Sequence, residues 1–148
     1  MTTSNQPGGC MCGAVHFATA GAPSRIIHCH CTDCRRHTGA PAATLAVYAA
    51  DQVTFSGAPR KPFASSPGTE RAFCPDCGTS LTFETDLRGY GRVCAIHISA
   101  FDDPGAMVAT HHSYYSERIP WFDIHDDLPR HSRLVVDGEL MRHGPEGT

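Results

Sequence analysis

The sequence has no apolar run near the roughly 18 residues that a membrane-crossing helix requires. Its first residues, Met1 to Pro7, carry neither the basic nor the apolar stretch of a secretory signal. These two absences lead us to expect a cytoplasmic protein with no membrane partner. An excess of positive charge is missing too. The 12 Lys and Arg face 15 Asp and Glu, for a net charge of −3. With no basic stripe to follow a phosphate backbone, a nucleic-acid-binding zinc ribbon is disfavoured and no nucleic-acid partner is expected. Repeats and domain linkers are also lacking. Fourteen glycines and 11 prolines interrupt the chain too often for long helices.

Sulfur and imidazole, by contrast, are plentiful: eight cysteines and ten histidines in 148 residues. In a reducing compartment such a cysteine count points to metal. The rival is a secreted domain with four disulfides, which the spacing and the missing signal argue against. The intervening segments alternate apolar and polar residues over short stretches bounded by Gly and Pro. Strands are expected around Val15 and Phe17, over Ala42 to Tyr48, at Val53 to Phe55, on both sides of Cys74–Gly78, and over Arg92 to Ser99. The expected class is a mainly β single domain of short antiparallel strands. Residues 1–7 are expected to be disordered, and Pro7-Gly8-Gly9 to turn. His37 to Pro41 and Pro59 to Pro67 read as irregular, Asp102-Asp103-Pro104 as the start of a very short helix, and Ile119 to Phe122 as an apolar anchor. Residues 126–148 read as a tail whose Leu134-Val135-Val136 adds one short strand.

The cysteines fall into clusters. Cys74-Pro75-Asp76-Cys77-Gly78 has the form of a zinc knuckle, in which backbone N–H groups donate to sulfur and a glycine turns the chain close to the metal. A redox C-x-x-C would open a helix, whereas here the alternating Leu81 and Phe83 follow. A knuckle supplies two zinc ligands and needs two more. Cys10 and Cys12 offer two thiolates with no third nearby. Cys29, Cys31 and Cys34 offer three within six residues. Side chains at i and i+2 of an extended segment share a face, so Cys29 and Cys31 can meet, with a tight turn bringing in Cys34. Pairing Cys10 and Cys12 with Cys74 and Cys77 closes one site and uses every clustered thiol; joining the knuckle to the central three would strand the others. The partition implies two zinc ions per chain, one in a closed structural site and one on three cysteines with a coordination position open. Arg35 and Arg36, next in sequence, are candidates to offset thiolate charge or to bind an anionic substrate. In an extended segment His28 and His30 point away from Cys29 and Cys31, which makes them poor ligands. Cys94, alone in an apolar strand, reads as a buried small hydrophobe.

These residues also carry a family resemblance. Gly9-Cys10-Met11-Cys12-Gly13-Ala14-Val15, Cys29-His30-Cys31-x-x-Cys34-Arg35-Arg36-x-x-Gly39-Ala40 and Phe73-Cys74-Pro75-x-Cys77-Gly78-Thr79-x-Leu81 resemble, in that order, the glutathione-dependent formaldehyde-activating enzymes. That family includes the centromere protein V domain. The later Asp102-Asp103-Pro104, His111-His112 and Pro120-Trp121 are similar to its C-terminal pattern, so that the resemblance spans about residues 8–125. It implies a β-tent, two antiparallel sheets meeting at a zinc site. It also implies a structural zinc on Cys10, Cys12, Cys74 and Cys77 and a second zinc on Cys29, Cys31 and Cys34. The implied activity is that of a carbon–sulfur lyase joining formaldehyde to the glutathione thiol as S-hydroxymethylglutathione. On this reading Cys29, Cys31 and Cys34 form the catalytic centre; the resemblance carries over no substrate-binding residue, and it is position beside the thiolates that makes Arg35, and after it Arg36, the candidate to pair with a substrate carboxylate. The alternative is a non-catalytic zinc-stapled binding module or glutathione carrier.

Overall fold

A computed structural model of the chain describes residues 5–136 and 138–141. In chain order its strands are β1 (Pro7–Gly9), β2 (Val15–Thr19), β3 (Arg25–Cys29), β4 (Ala43–Ala49), β5 (Val53–Gly57), β6 (Lys61–Ser66), β7 (Thr69–Phe73), β8 (Ser80–Leu87), β9 (Gly91–His97), β10 (His111–Ser113), β11 (Leu134–Val136) and β12 (Glu139–Met141). The α-helix among the described residues, α1 (Thr32–Thr38), lies between β3 and β4. No described helix is long and apolar enough to cross a membrane.

Seven strands make the main sheet, in the order β10-β3-β4-β9-β8-β7-β6. Its neighbours are antiparallel except β10, which lies parallel to β3. A smaller sheet, β1-β2-β5, and the hairpin β11-β12 complete the fold. The result is a mainly β fold, the class the strand pattern predicts; the two antiparallel sheets that the resemblance implies are corrected in that the main sheet is mixed, because β10 joins it parallel to β3.

The main sheet is buried on both faces, so its central strands read as nearly continuous apolar runs. One face (Ala46, Tyr48, Leu81, Ile96) packs on Val15 and Phe17 of the smaller sheet. There Phe17 meets Phe101 edge-on, with ring centroids 5.1 Å apart. The other face (Ile27, Cys29, Leu45, Val47, Phe83, Val93, Ala95) lies under α1, Tyr114 and Leu134. Cys94 points into the first core, where burial pushes its thiol up to about 12; it is the buried small hydrophobe its setting predicts.

Several local expectations are corrected. Pro7-Gly8-Gly9 is a strand, so order begins before residue 8; residues 1–4 of the expected disordered segment lie outside the described residues. The cause is visible at Gly8, where a Cβ would collide with the Phe17 ring and the Ala100 carbonyl. Glycine there serves close packing, not turning. The segment from His37 begins as the end of α1, closed by a hydrogen bond from the Gly39 N–H to the Arg35 carbonyl. Lys61–Ser66 forms the edge strand β6 in spite of Pro62, and an edge is where a strand tolerates proline. Within the expected anchor Ile119 to Phe122, Trp121 is 79% exposed, while Ile119 and Phe122 are half-buried. The tail supplies two short strands, of which Leu134–Val136 is the first. At Pro104–Ala106 the short helix is a single 3-10 turn, as the acidic residues and proline predict.

Two candidate metal centres

The loop after β1 brings Cys10 and Cys12 against the turn between β7 and β8, which holds Cys74 and Cys77. The four sulfurs all lie within 4.8 Å of one another. Cys10 and Cys12 are 3.6 Å apart, and Cys12 and Cys74 3.8 Å. A tetrahedron with zinc–sulfur distances of about 2.3 Å places its sulfurs roughly 3.8 Å apart, so the set fits that ion. The surrounding groups are those that stabilise thiolates. The Val15 N–H reaches the Cys10 sulfur at 3.2 Å, and the Thr79 hydroxyl lies 3.1 Å from that of Cys77. Hydrogen bonds from the Thr79 hydroxyl and backbone N–H hold the Cys77 thiol down to about 6. Gly78, at φ 77°, takes the left-handed conformation the knuckle requires. The Met11 N–H donates to the Thr79 hydroxyl at 3.0 Å, tying the N-terminal loop to the hairpin.

The second group sits at the end of β3. Cys29 closes the strand, Cys31 is the N-cap of α1, and Cys34 lies in the first turn of the helix. The expected tight turn is therefore helical, and the Cys31 sulfur accepts a hydrogen bond from the Cys34 N–H at 3.3 Å. The three sulfurs lie within 4.8 Å of one another, and the residues are 3%, 7% and 2% exposed. None of the seven clustered cysteines is shared between the groups.

Electrostatics at this second group come from a residue the sequence reading missed. Arg71, on β7 and only 3% exposed, donates from Nη1 to the Cys34 sulfur at 3.4 Å and from Nε to the Ser65 hydroxyl at 3.3 Å. Its guanidinium lies 4.8 Å from the centre of the Phe83 ring. Hydrogen bonds from Cys29 and Cys31, together with the Arg71 charge, hold the Cys34 thiol well below its ordinary range. A signal existed in the sequence: an arginine in the middle of a strand, three residues ahead of the knuckle.

Arg35 and Arg36 are arranged differently from each other. Arg35 donates from Nε to the His30 carbonyl at 3.1 Å, and from Nη2 to the Glu117 carbonyl at 3.1 Å and the Thr32 hydroxyl at 3.2 Å. Its donors bind the helix start to the chain around it. Arg36 lines a cavity of about 270 Å³ with the charged Asp33 and Arg71 and with His37, Phe63 and Ser65.

The histidines buttress the site. His30 faces away from Cys29 and Cys31, as strand alternation demands, and is fully buried with Nε2 2.8 Å from Nδ1 of His112. Burial and the neighbouring His112 hold its pKa down to about 4. Nε2 of His112 sits 3.1 Å from both carboxylate oxygens of Asp126, which also pairs with Arg130. His28 bonds the Thr44 hydroxyl at 2.8 Å. His97 is buried beside His37, with ring centroids 5.7 Å apart.

The mainly β fold thus carries one group of four thiols and one of three. The family model described as glutathione-dependent formaldehyde-activating enzyme matches residues 5–117. The chain belongs to that family. An uncharacterized lyase of Schizosaccharomyces pombe is 33% identical over 76 residues, which are 51% of this chain and 55% of the relative. The chain thus spans about half the length of that curated relative. A crystal structure of a Rhodobacter sphaeroides protein superposes with a TM-score of 0.53 at 19% identity, covering 65% of this chain and 87% of that one. At that identity the likeness is one of fold. In this family member the match ends at Glu117, so Asp126, Arg130 and Leu134 lie beyond it.

Proposed function

We propose that this family member is a zinc-dependent carbon–sulfur lyase-type enzyme that forms or cleaves the adduct of an aldehyde with glutathione or a similar thiol. Cys10, Cys12, Cys74 and Cys77 hold a structural zinc, and Cys29, Cys31 and Cys34 hold the reactive one. The observation that carries this reading is the separation of seven thiols into a set of four and a set of three. Four thiolates complete a tetrahedral zinc, whereas three leave a position for substrate. Zinc held by three thiolates supplies the Lewis acidity that keeps a substrate thiol in its nucleophilic, deprotonated form.

The protein's own groups prepare that centre. Arg71 neutralises part of the charge on the three-thiolate set and fixes Cys34. Arg36, which shares a cavity with Arg71, meets a carboxylate of a peptide thiol on this reading; Arg35 contributes by holding the first turn of α1. In the forward reaction a sulfur lone pair forms the C–S bond to the carbonyl carbon and the C=O π pair moves to oxygen. That oxygen then takes the proton the thiol gave up. The reverse reaction releases thiol and aldehyde.

The burial of all three sulfurs favours a second reading, a zinc-stapled module that binds a thiol without chemistry. Zinc per chain and NMR exchange between glutathione and formaldehyde, with and without protein, decide between the two. Faster exchange with two zinc ions loaded supports the enzyme. Unchanged exchange together with glutathione binding by calorimetry supports the carrier.

A further inference from the structure

Cys29 and Cys34 form part of the wall of a second, quite different cavity. It is a slot of about 20 Å³ over the main sheet, walled by Ile27, Leu45, Val47, Phe83, Val93 and Ala95 and presenting no polar surface. Thr85 also lines it, but its hydroxyl is taken by that of Thr69 at 2.8 Å. Such a volume holds about one water-sized guest. The sheet does not set that limit by itself, since Tyr114 and Leu134 close the slot from above. Tyr114 is fixed by a left-handed backbone at φ 54°. Leu134 comes from the segment beyond the family match, is buried, and packs into the apolar cluster that contains Cys29 and Cys34. Its strand is held at its flanks: Arg25 donates from Nη1 to the Val135 carbonyl at 3.1 Å, and the His131 N–H reaches the His112 carbonyl at 3.0 Å.

We propose that Leu134 is a specificity-determining residue that restricts the aldehyde side of the adduct to a one-carbon carbonyl. The inference rests on the thiol–aldehyde reading of the three-cysteine centre. Two contrasting spaces lie on either side of the Arg71–Cys34 contact: Arg71 lines the first cavity and Cys34 lines the slot. The cavity of Arg36, Arg71 and Asp33 can solvate the charged body of a peptide thiol, while the slot cannot, because a carboxylate buried without partners is heavily penalised. The carbonyl substituent therefore points into the slot, where hydrogen fits and a longer chain meets Leu134. Replacing leucine by alanine removes three carbons from the roof and leaves the sulfurs in place.

The test uses the full zinc-loaded chain. Wild type should accelerate exchange of glutathione with formaldehyde and leave propanal at its uncatalysed rate. Leu134→Ala should raise the propanal rate by about tenfold or more, the usual weight of a methylene or two in an apolar pocket, and Leu134→Val should fall between. Xenon NMR, which does not depend on turnover, should show a bound site in Leu134→Ala and none in wild type. Wild type that handles propanal as readily as formaldehyde overturns the proposal. So does a cooperatively melting Leu134→Ala that neither binds xenon nor alters the aldehyde profile. If the alanine variant fails to fold, Leu134→Val and the wild-type aldehyde series carry the test. A wild type inert toward every aldehyde removes the enzymatic reading instead, and the xenon comparison then decides separately whether Leu134 fills the slot.

Discussion

Arg71 is the residue on which the electrostatics of the three-cysteine centre turn. A buried guanidinium on a thiolate acts as an outer-shell partner, and loss of such partners typically weakens metal binding 10–100-fold. Arg71→Met should release zinc from that centre to a chelator at correspondingly lower concentration while the four-cysteine site keeps its ion; titration of zinc per chain against chelator reads this directly. Arg71 stayed hidden in the sequence because its contact with Cys34 spans 37 positions. Arg35 stood out for the opposite reason, its adjacency to Cys34. A helix turns about 100° per residue, however, and one step beyond Cys34 carries the side chain round to Glu117 and the His30 carbonyl. The cysteine partition was legible because ligand spacing is local and the seven thiols divide in only one way that strands none. His97 shows another residue-scale effect. Burial and the neighbouring His37 depress its pKa to about 3, against about 6.5 in an unfolded chain. Below pH 6.5 the unfolded state binds the proton that the folded state refuses, so stability is full above that pH and falls as pH drops toward 3. This one group contributes a slope of up to about 1.4 kcal/mol per pH unit. His97→Leu should flatten that slope in denaturant titrations run between pH 6.5 and 5.

At the scale of elements, the loop after β1 and the β7–β8 turn are joined by sulfur and by Thr79. Removing the ion, or substituting Cys74→Ser, should expose the amides of β1 and β2 to hydrogen exchange more than those of β4, β8 and β9, because the four sulfurs and the Met11–Thr79 hydrogen bond are what tie the loop between β1 and β2 to the β7–β8 turn. Equal loss of protection in both sheets would count against the staple. Thr79→Ala should have a milder effect, about 1 kcal/mol for the hydrogen bond lost from Met11. The central strands β2, β4, β8 and β9 were readable from alternation, but the edge strands β1 and β6 and the helix α1 were not. Seven residues, Thr32–Thr38, with Cys34 alone buried, give no helical period, and the helix exists because Cys31 caps it and Glu117 accepts from the Thr32 N–H at 2.9 Å. Strand β10 was missed for a similar reason. Three residues are too few to show a pattern, and its pairing with β3 is set across the whole chain.

For the whole molecule, the proposed function assigns stability to the four-cysteine centre and reactivity to the three-cysteine centre. The four-cysteine site joins the small sheet to the large one, whereas the three-cysteine site lies on the opposite face, under α1. Stepwise chelation should first remove the ion with three protein ligands, abolishing thiol–aldehyde exchange with little change in melting temperature, and only then lower the melting temperature sharply. Calorimetric melts at each zinc stoichiometry check the order. A parallel decline of exchange and melting temperature would argue that the centres are energetically one. The position of Trp121, exposed at the surface, also decides how these transitions can be watched. As the sole tryptophan, already bathed in solvent, it will emit at nearly the same wavelength whether the protein is folded or not. A fluorescence trace would therefore look flat through a genuine collapse, while Tyr48, sealed between the sheets, would register it in near-ultraviolet circular dichroism.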